Sequence, residues 1–99
     1  MLKIIILGSL LALAPLHANA ADVANGKSKA VVCSGCHGVN GISLGPEYPN
    51  LAGQKAAYVT KQLKAFKSGT RIDPIMQAMA SPLSDQDMKN IAAYFESLK

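Results

Sequence analysis

The sequence predicts a small all-α domain, for three reasons. Apolar side chains recur at helical spacing over residues 55–68 and again over 85–98. Two stretches punctuated by glycine and proline, 38–53 and 70–83, lie before and after the first of these. Nowhere does the chain alternate apolar and polar residues as a half-buried strand does, and it holds no internal repeat. A domain of this size has a marginal core. This one has no Trp, three Tyr and two Phe, so it needs some further staple.

The first twenty residues are set apart from the fold. Met1-Leu2-Lys3 is a short basic start, Ile4 to Leu16 is almost continuously apolar, and Ala18-Asn19-Ala20 has the small-x-small pattern of a cleavage site. The segment predicts a secretory signal peptide removed after Ala20, a periplasmic product, and one domain spanning 21–99. The apolar run is short for a bilayer and is broken by Gly8 and Pro15. Retention as an uncleaved anchor is the other reading; after removal, nothing spans a membrane. The whole chain carries a formal charge of +4, and losing Lys3 reduces it to +3. So slight a positive balance argues against nucleic acid as a partner.

Asp22 is placed to cap a first helix running to about Ser34. Gly26 interrupts it at a cost of about 1 kcal/mol relative to Ala, which suggests a close helix contact or a frayed end. Residues 38–53 read as an irregular loop, with Leu51 as its apolar anchor. Lys55 to Ser68 forms a second helix closed by Gly69. At about 100° per residue, Tyr58, Val59, Leu63 and Phe66 share one arc, with Lys61, Lys64 and Lys67 opposite. Thr70 to Leu83 reads as a second loop carrying Met76 and Met79 between Pro74 and Pro82. Ser84 and Asp87 resemble a capping box, with Asp in place of the usual Glu or Gln. The last helix follows, with Met88, Ile91, Phe95 and Leu98 on one stripe.

Chemistry concentrates at Cys33-Ser34-Gly35-Cys36-His37. C-x-x-C-H is the attachment pattern of c-type haem, in which both thiols bond to vinyl groups and the adjacent imidazole reaches the iron. A structural zinc site needs four ligands, but the chain has no further Cys, and its other imidazole, His17, lies in the export segment. A thioredoxin-like motif expects a βαβ setting, which is absent here. One covalently bound haem c would then be the missing staple, and the apoprotein is expected to be largely unfolded. Its two propionates would lower the net charge by about two units. After export His37 is the only imidazole, so the second axial ligand is a Met, a Lys, water or nothing. The residues alone leave Met76 and Met79 as equal candidates.

Four stretches carry a family resemblance: Cys33-x-x-Cys36-His37-Gly38, Tyr48-Pro49-Asn50-Leu51-Ala52-Gly53-Gln54, Met76-x-x-Met79-Ala80, and Leu83-Ser84-Asp85-Gln86-Asp87 followed by Ala92-Ala93-Tyr94. Together they resemble a class I cytochrome c, more narrowly one haem domain of the bacterial periplasmic dihaem cytochromes c and their single-haem relatives. The resemblance implies three to five helices and loops wrapped round one haem. Cys33 and Cys36 would hold it, His37 would be the proximal ligand, and the Pro49 carbonyl would accept from its Nδ1–H. Leu51 would pack beside it, and Met76 rather than Met79 would be the distal ligand. Gly26 would lie where the first and last helices cross, against Ile91 and Tyr94. Only one such domain is present, which excludes a two-haem relay within these residues.

Iron ligated on both faces implies a periplasmic one-electron carrier exchanging electrons through the haem edge, not an enzyme. Redox proteins would be its donor and acceptor, with Lys61, Lys64 and Lys67 as a docking face or simply a solvated one. Two alternatives remain: a cytochrome subunit of a larger flavin or molybdenum enzyme, or a gas-binding haem sensor.

Overall fold

The computed structural model describes residues 20–99 together with Lys3, Ile4 and Gly8. The predicted export segment otherwise lies outside the described residues. Among the described residues five helices run in the order α1 (Val23–Lys29), α2 (Ser34–His37), α3 (Ala56–Ser68), α4 (Pro74–Ala80) and α5 (Asp85–Ser97), with a 3-10 turn over Ala30–Cys33 between the first two. No strand occurs among the described residues, so the all-α expectation holds.

The first helix departs from the single span to Ser34. Asp22 caps it as expected, its carboxylate accepting from Asn25 N at 2.9 Å. After Lys29 the chain tightens into the 3-10 turn and then resumes as α2, so the helical course runs on to His37. Gly38, at φ +88°, ends it. A side chain there would be strained by the backbone and would also run into the Ile42 carbonyl.

The larger correction concerns residues 70–83. Where an irregular loop was expected, Pro74–Ala80 forms a helix. Asp73 is its N-cap, accepting from Ile75 N and Met76 N at 3.0 Å each. Pro74 occupies the first turn, where its missing N–H costs nothing and its fixed φ already suits a helix. Proline here starts a helix rather than interrupting a loop.

The core is built on α5, whose Met88, Ile91, Ala92, Tyr94 and Phe95 are buried, Met88 and Ile91 completely. Leu98, expected on the same stripe, is only half-buried against the cluster. Val59, Leu63 and Phe66 of α3 pack into this core, with Ala30 from the 3-10 turn and Ala80 from α4. The capping box forms despite the shorter acid: Ser84 Oγ accepts from Asp87 N, and Asp87 Oδ2 from Ser84 N, both at 3.0 Å. Asp87 also pairs with Lys29 of α1 at 3.7 Å.

Helix α1 lies directly on α5. A Cβ placed on Gly26 would overlap the Asn90 carbonyl outright and come within 3.0 Å of Ile91 N. The close neighbours are thus the backbones of Asn90 and Ile91. Buried Asn90 ties the same junction together, its Oδ1 accepting from Asp22 N and Gln86 Nε2, both at 2.9 Å, and its Nδ2 donating to Asn25 Oδ1 at 3.0 Å. At the other end Glu96 of α5 accepts from Ala56 N at 2.5 Å and so caps α3, which has no side-chain cap of its own.

Candidate functional site

A cleft of about 610 Å³ opens beside this core. That lies within the range of about 300–1,000 Å³ usual for ligand and cofactor sites. Its wall combines the 33–37 segment, the loop at 47–54, the inner face of α3, the chain from Arg71 to Met79, and Ile91 and Phe95 of α5. Most of the exposed wall is apolar, as a porphyrin face requires.

Because the helical course carries on through α2, Cys33, Cys36 and His37 reach the cleft from one continuous stretch. Both cysteines are half-buried free thiols. Burial, and secondarily the neighbouring Cys36, pushes the Cys33 thiol above its ordinary value of 9.0, so it is neutral at pH 7. His37 is buried, and its Nδ1 lies 2.8 Å from the Pro49 carbonyl oxygen. A carbonyl only accepts, so Nδ1 carries the proton and Nε2 keeps its lone pair for another partner. The Tyr48 ring meets the imidazole edge-on, with centroids 6.3 Å apart. Negative charge on Cys36 when its thiol is deprotonated, and then a hydrogen bond to it, push the Tyr48 phenol above its ordinary value of 10.0.

The loop that supplies Pro49 is held from both sides. Leu51 N and Ala52 N donate to Gly41 O at 2.8 and 3.0 Å, and Ser43 Oγ donates to Tyr48 O at 2.6 Å. Pro49 and Leu51 both line the cleft; Leu51 also packs against the core. Met76 and Met79 line it too, Met76 half-buried against the core and Met79 with 42% of its surface exposed. Among the described residues no three His, Cys, Asp or Glu side chains cluster to hold a metal ion unaided. Two thiols, a tethered imidazole and thioethers around one apolar cleft instead fit a covalent metalloporphyrin.

Lys61, Lys64 and Lys67 are exposed but none lines the cleft, and Lys67 Nζ donates to Leu83 O at 2.6 Å. Tyr58, placed on the apolar arc of α3, is 48% exposed at the cleft instead of buried. Sequence reasoning gave no site role to Gln54, though it stands in one of the motifs, and passed over Gln62 and Arg71; all three also line the cleft. The one available signal was that Arg71 is the only arginine in the chain.

Comparison with known proteins agrees with this geometry. The family described as "Cytochrome c" matches residues 23–99. Cytochrome c4 of Pseudomonas aeruginosa is 48% identical over 80 residues, covering 81% of this chain and 40% of that protein. Cytochrome c-554(548) of Halomonas halodenitrificans is 44% identical over 81 residues, covering 79% of this chain and 98% of that protein. The crystal structure of reduced recombinant cytochrome c4 from Pseudomonas stutzeri superposes with a TM-score of 0.76 at 45% identity, over 81% of this chain and 47% of that one. This chain thus spans about two-fifths of the first relative and nearly all of the second. With the family matched from the first helix to the C-terminus on a fold of this kind, the chain belongs to the cytochrome c family, whose domain binds haem c covalently.

Proposed function

We propose that the chain is a periplasmic one-electron carrier with a single haem c, held by Cys33 and Cys36 and ligated by His37 and Met76. One observation carries this: both thiols, the carbonyl-tethered imidazole and the Met76 thioether share one apolar cleft. When bound, the haem supplies an Fe(II)/Fe(III) couple. Cys33 and Cys36 would hold the group through thioether bonds to its two vinyl groups, an addition of each S–H that would need no oxidant. Pro49 holds the imidazole in the tautomer whose Nε2 faces outward as a ligand. Leu51, Val59 and Leu63 exclude water from the cleft wall. Asp73 fixes the first turn of α4, and with it the backbone of Met76. Met/His ligation raises the reduction potential relative to other axial pairs. With His37 and Met76 both committed to the iron, no open position would remain for a substrate, and no residue is assigned as acid, base or nucleophile.

Replacing each methionine tests the ligand set. Met76→Ala should lose the weak far-red sulfur-to-iron absorption of the oxidised protein and should bind carbon monoxide when reduced. Met79→Ala should keep the band and exclude carbon monoxide. The reverse pattern moves the ligand to Met79. A wild type that already binds carbon monoxide refutes His/Met ligation and favours a gas-binding protein.

A second reading, a cytochrome subunit fixed to a larger redox enzyme, is favoured by one surface feature. Val32, Ile72 and Ile75 are 65%, 88% and 59% exposed, and Val32 and Ile75 stand on the cleft wall. Co-purification with a large subunit from the periplasm, in place of a free carrier, would establish it.

A further inference from the structure

We propose that a hollow behind the Cys33–His37 segment binds a small apolar carboxylic acid, with its carboxylate on Lys27 and the Tyr94 hydroxyl. The hollow measures about 190 Å³ and lies between the back of that segment and α5. Val31, Ser34 and Gly38 line it, whereas Val32, Cys33, Cys36 and His37 of the same stretch line the cleft. Phe95 alone lines both. The segment is therefore a partition, and the hollow is a separate space whose chemistry does not depend on how the iron is ligated. An engineered apolar cavity of about 150 Å³ holds one benzene ring, so this space suits a body of about that size. Ala30, Val31, Val39 and Phe95 give it apolar walls, and Val31 and Val39 are largely exposed. Covering them takes apolar surface out of water, which favours binding.

Two polar side chains give this apolar space a sign. Lys27, in the last turn of α1, is the only charged side chain on its wall. The only ion pair among the described residues joins Lys29 and Asp87, so Lys27 has no carboxylate there. Tyr94 is only 9% exposed, yet its hydroxyl makes no hydrogen bond among the described residues; Ser97 Oγ donates to its backbone carbonyl instead. Among those residues no sealed side-chain oxygen is left without a partner. The phenol oxygen therefore emerges from the core, where Tyr94 borders the hollow. A ring fixed by packing presents that hydroxyl as a ready donor, and the flexible Lys27 stem brings an ammonium to the same acceptor. Ser34 Oγ is already committed to Val31 O at 2.6 Å, and no acidic side chain lines the hollow to compete for either donor. One ring-sized apolar body with one anionic head meets all of these groups.

The test is NMR titration of isolated, reduced holoprotein with benzoate, benzamide and acetate. The first offers a ring and a charge, the others a ring or a charge alone. Benzoate should give saturable shifts at Val31, Val39 and Tyr94, with a dissociation constant of about 1 mM or below, and should leave the haem absorption unchanged. Benzamide and acetate should bind at least about tenfold more weakly. Lys27→Gln and Tyr94→Phe should each weaken benzoate by at least about threefold. Lys27→Gln should also leave the weaker benzamide binding as it was, which a disturbed fold would not do. Equal binding of benzoate and benzamide, or full benzoate affinity in both variants, would overturn the proposal. Shifts centred on Leu51 and Met79 with a changed haem spectrum would place the acid in the cleft and overturn it as well. So would the absence of any saturable shift at about 10 mM benzoate.

Discussion

Gly26 allows a test in which the sign of the effect decides. On helix propensity alone, Gly26→Ala should stabilise α1 by about 1 kcal/mol. The structure demands the opposite, because the first added carbon would overlap the Asn90 carbonyl and press on Ile91 N. Those atoms are backbone of α5 and cannot rotate away, so the helices must part. Overpacking of this kind costs about 1–3 kcal/mol. Parting them also strains the three hydrogen bonds of buried Asn90, and one unsatisfied buried polar group costs about 1–3 kcal/mol more. Together the penalty is about 2–6 kcal/mol, a large share of the 5–15 kcal/mol typical of a whole domain. Less the ~1 kcal/mol gained in propensity, and at about 4–8 °C per kcal/mol for a domain of this size, thermal unfolding of holo Gly26→Ala should fall by at least about 4 °C. Gly26→Val should fall further and yield less holoprotein. A Tm for Gly26→Ala equal to or above wild type would refute the close-packing account.

Other predictions concern caps and charge. Asp73→Ala removes the cap of α4 and should cost about 0.5–2 kcal/mol; on heating, the sulfur-to-iron band should bleach before the helices melt by circular dichroism. Ser84→Ala should lower the denaturation midpoint by a similar energy, since it breaks the capping box. The Ser84 backbone N–H, more than any other contact, holds the Asp87 carboxyl below its ordinary value of 3.8. A depressed folded-state pKa contributes stability that is complete above the unfolded value and lost as pH falls through the folded one. The stability gap between wild type and Asp87→Asn, followed by denaturant titration, should therefore be constant near neutrality and close in acid. If Lys61 and Lys64 guide an acidic partner, electron-transfer rates should fall with salt, exposed charges being screened over about 10 Å at 0.1 M. Reversing both charges should flatten that dependence, while a salt-independent wild type would leave them as solvated surface.

Helices α3 and α5 were legible in the sequence because each carries its own evidence. Val59, Leu63 and Phe66, and then Met88, Ile91 and Phe95, repeat at spacings of three, four or seven residues inside thirteen-residue helices, and Gly69 and Ser84 mark an end of each. Helix α4 has only seven residues, too few for a stripe, and Pro74 has the same spelling whether it opens a helix or breaks one. The tightening at Ala30–Cys33 was also hidden, because a shift from i+4 to i+3 bonding leaves no trace in residue type. At the site, the Cys33–His37 motif was readable because its chemistry is contiguous. Tyr58 and Arg71 reach the cleft only through the packing of α3 against α4 and α5, and no local pattern states that. Both methionines reach the cleft wall, so spacing could not have chosen between them.

The Asn90 junction also has a consequence in time. Its hydrogen bonds to Asp22 and Asn25 join residues 68 and 65 positions apart, nearly the full span of the domain. Contacts at such separation require the intervening chain to close first, and that closure is slow and costly in entropy. A chain made from its N-terminus therefore presents Cys33 and Cys36 well before the residue that locks the first helix to the last exists. Until those contacts close, the segment carrying both thiols would remain open to a large planar cofactor. The closing clasp, at the far end of the sequence, then shuts the fold behind it.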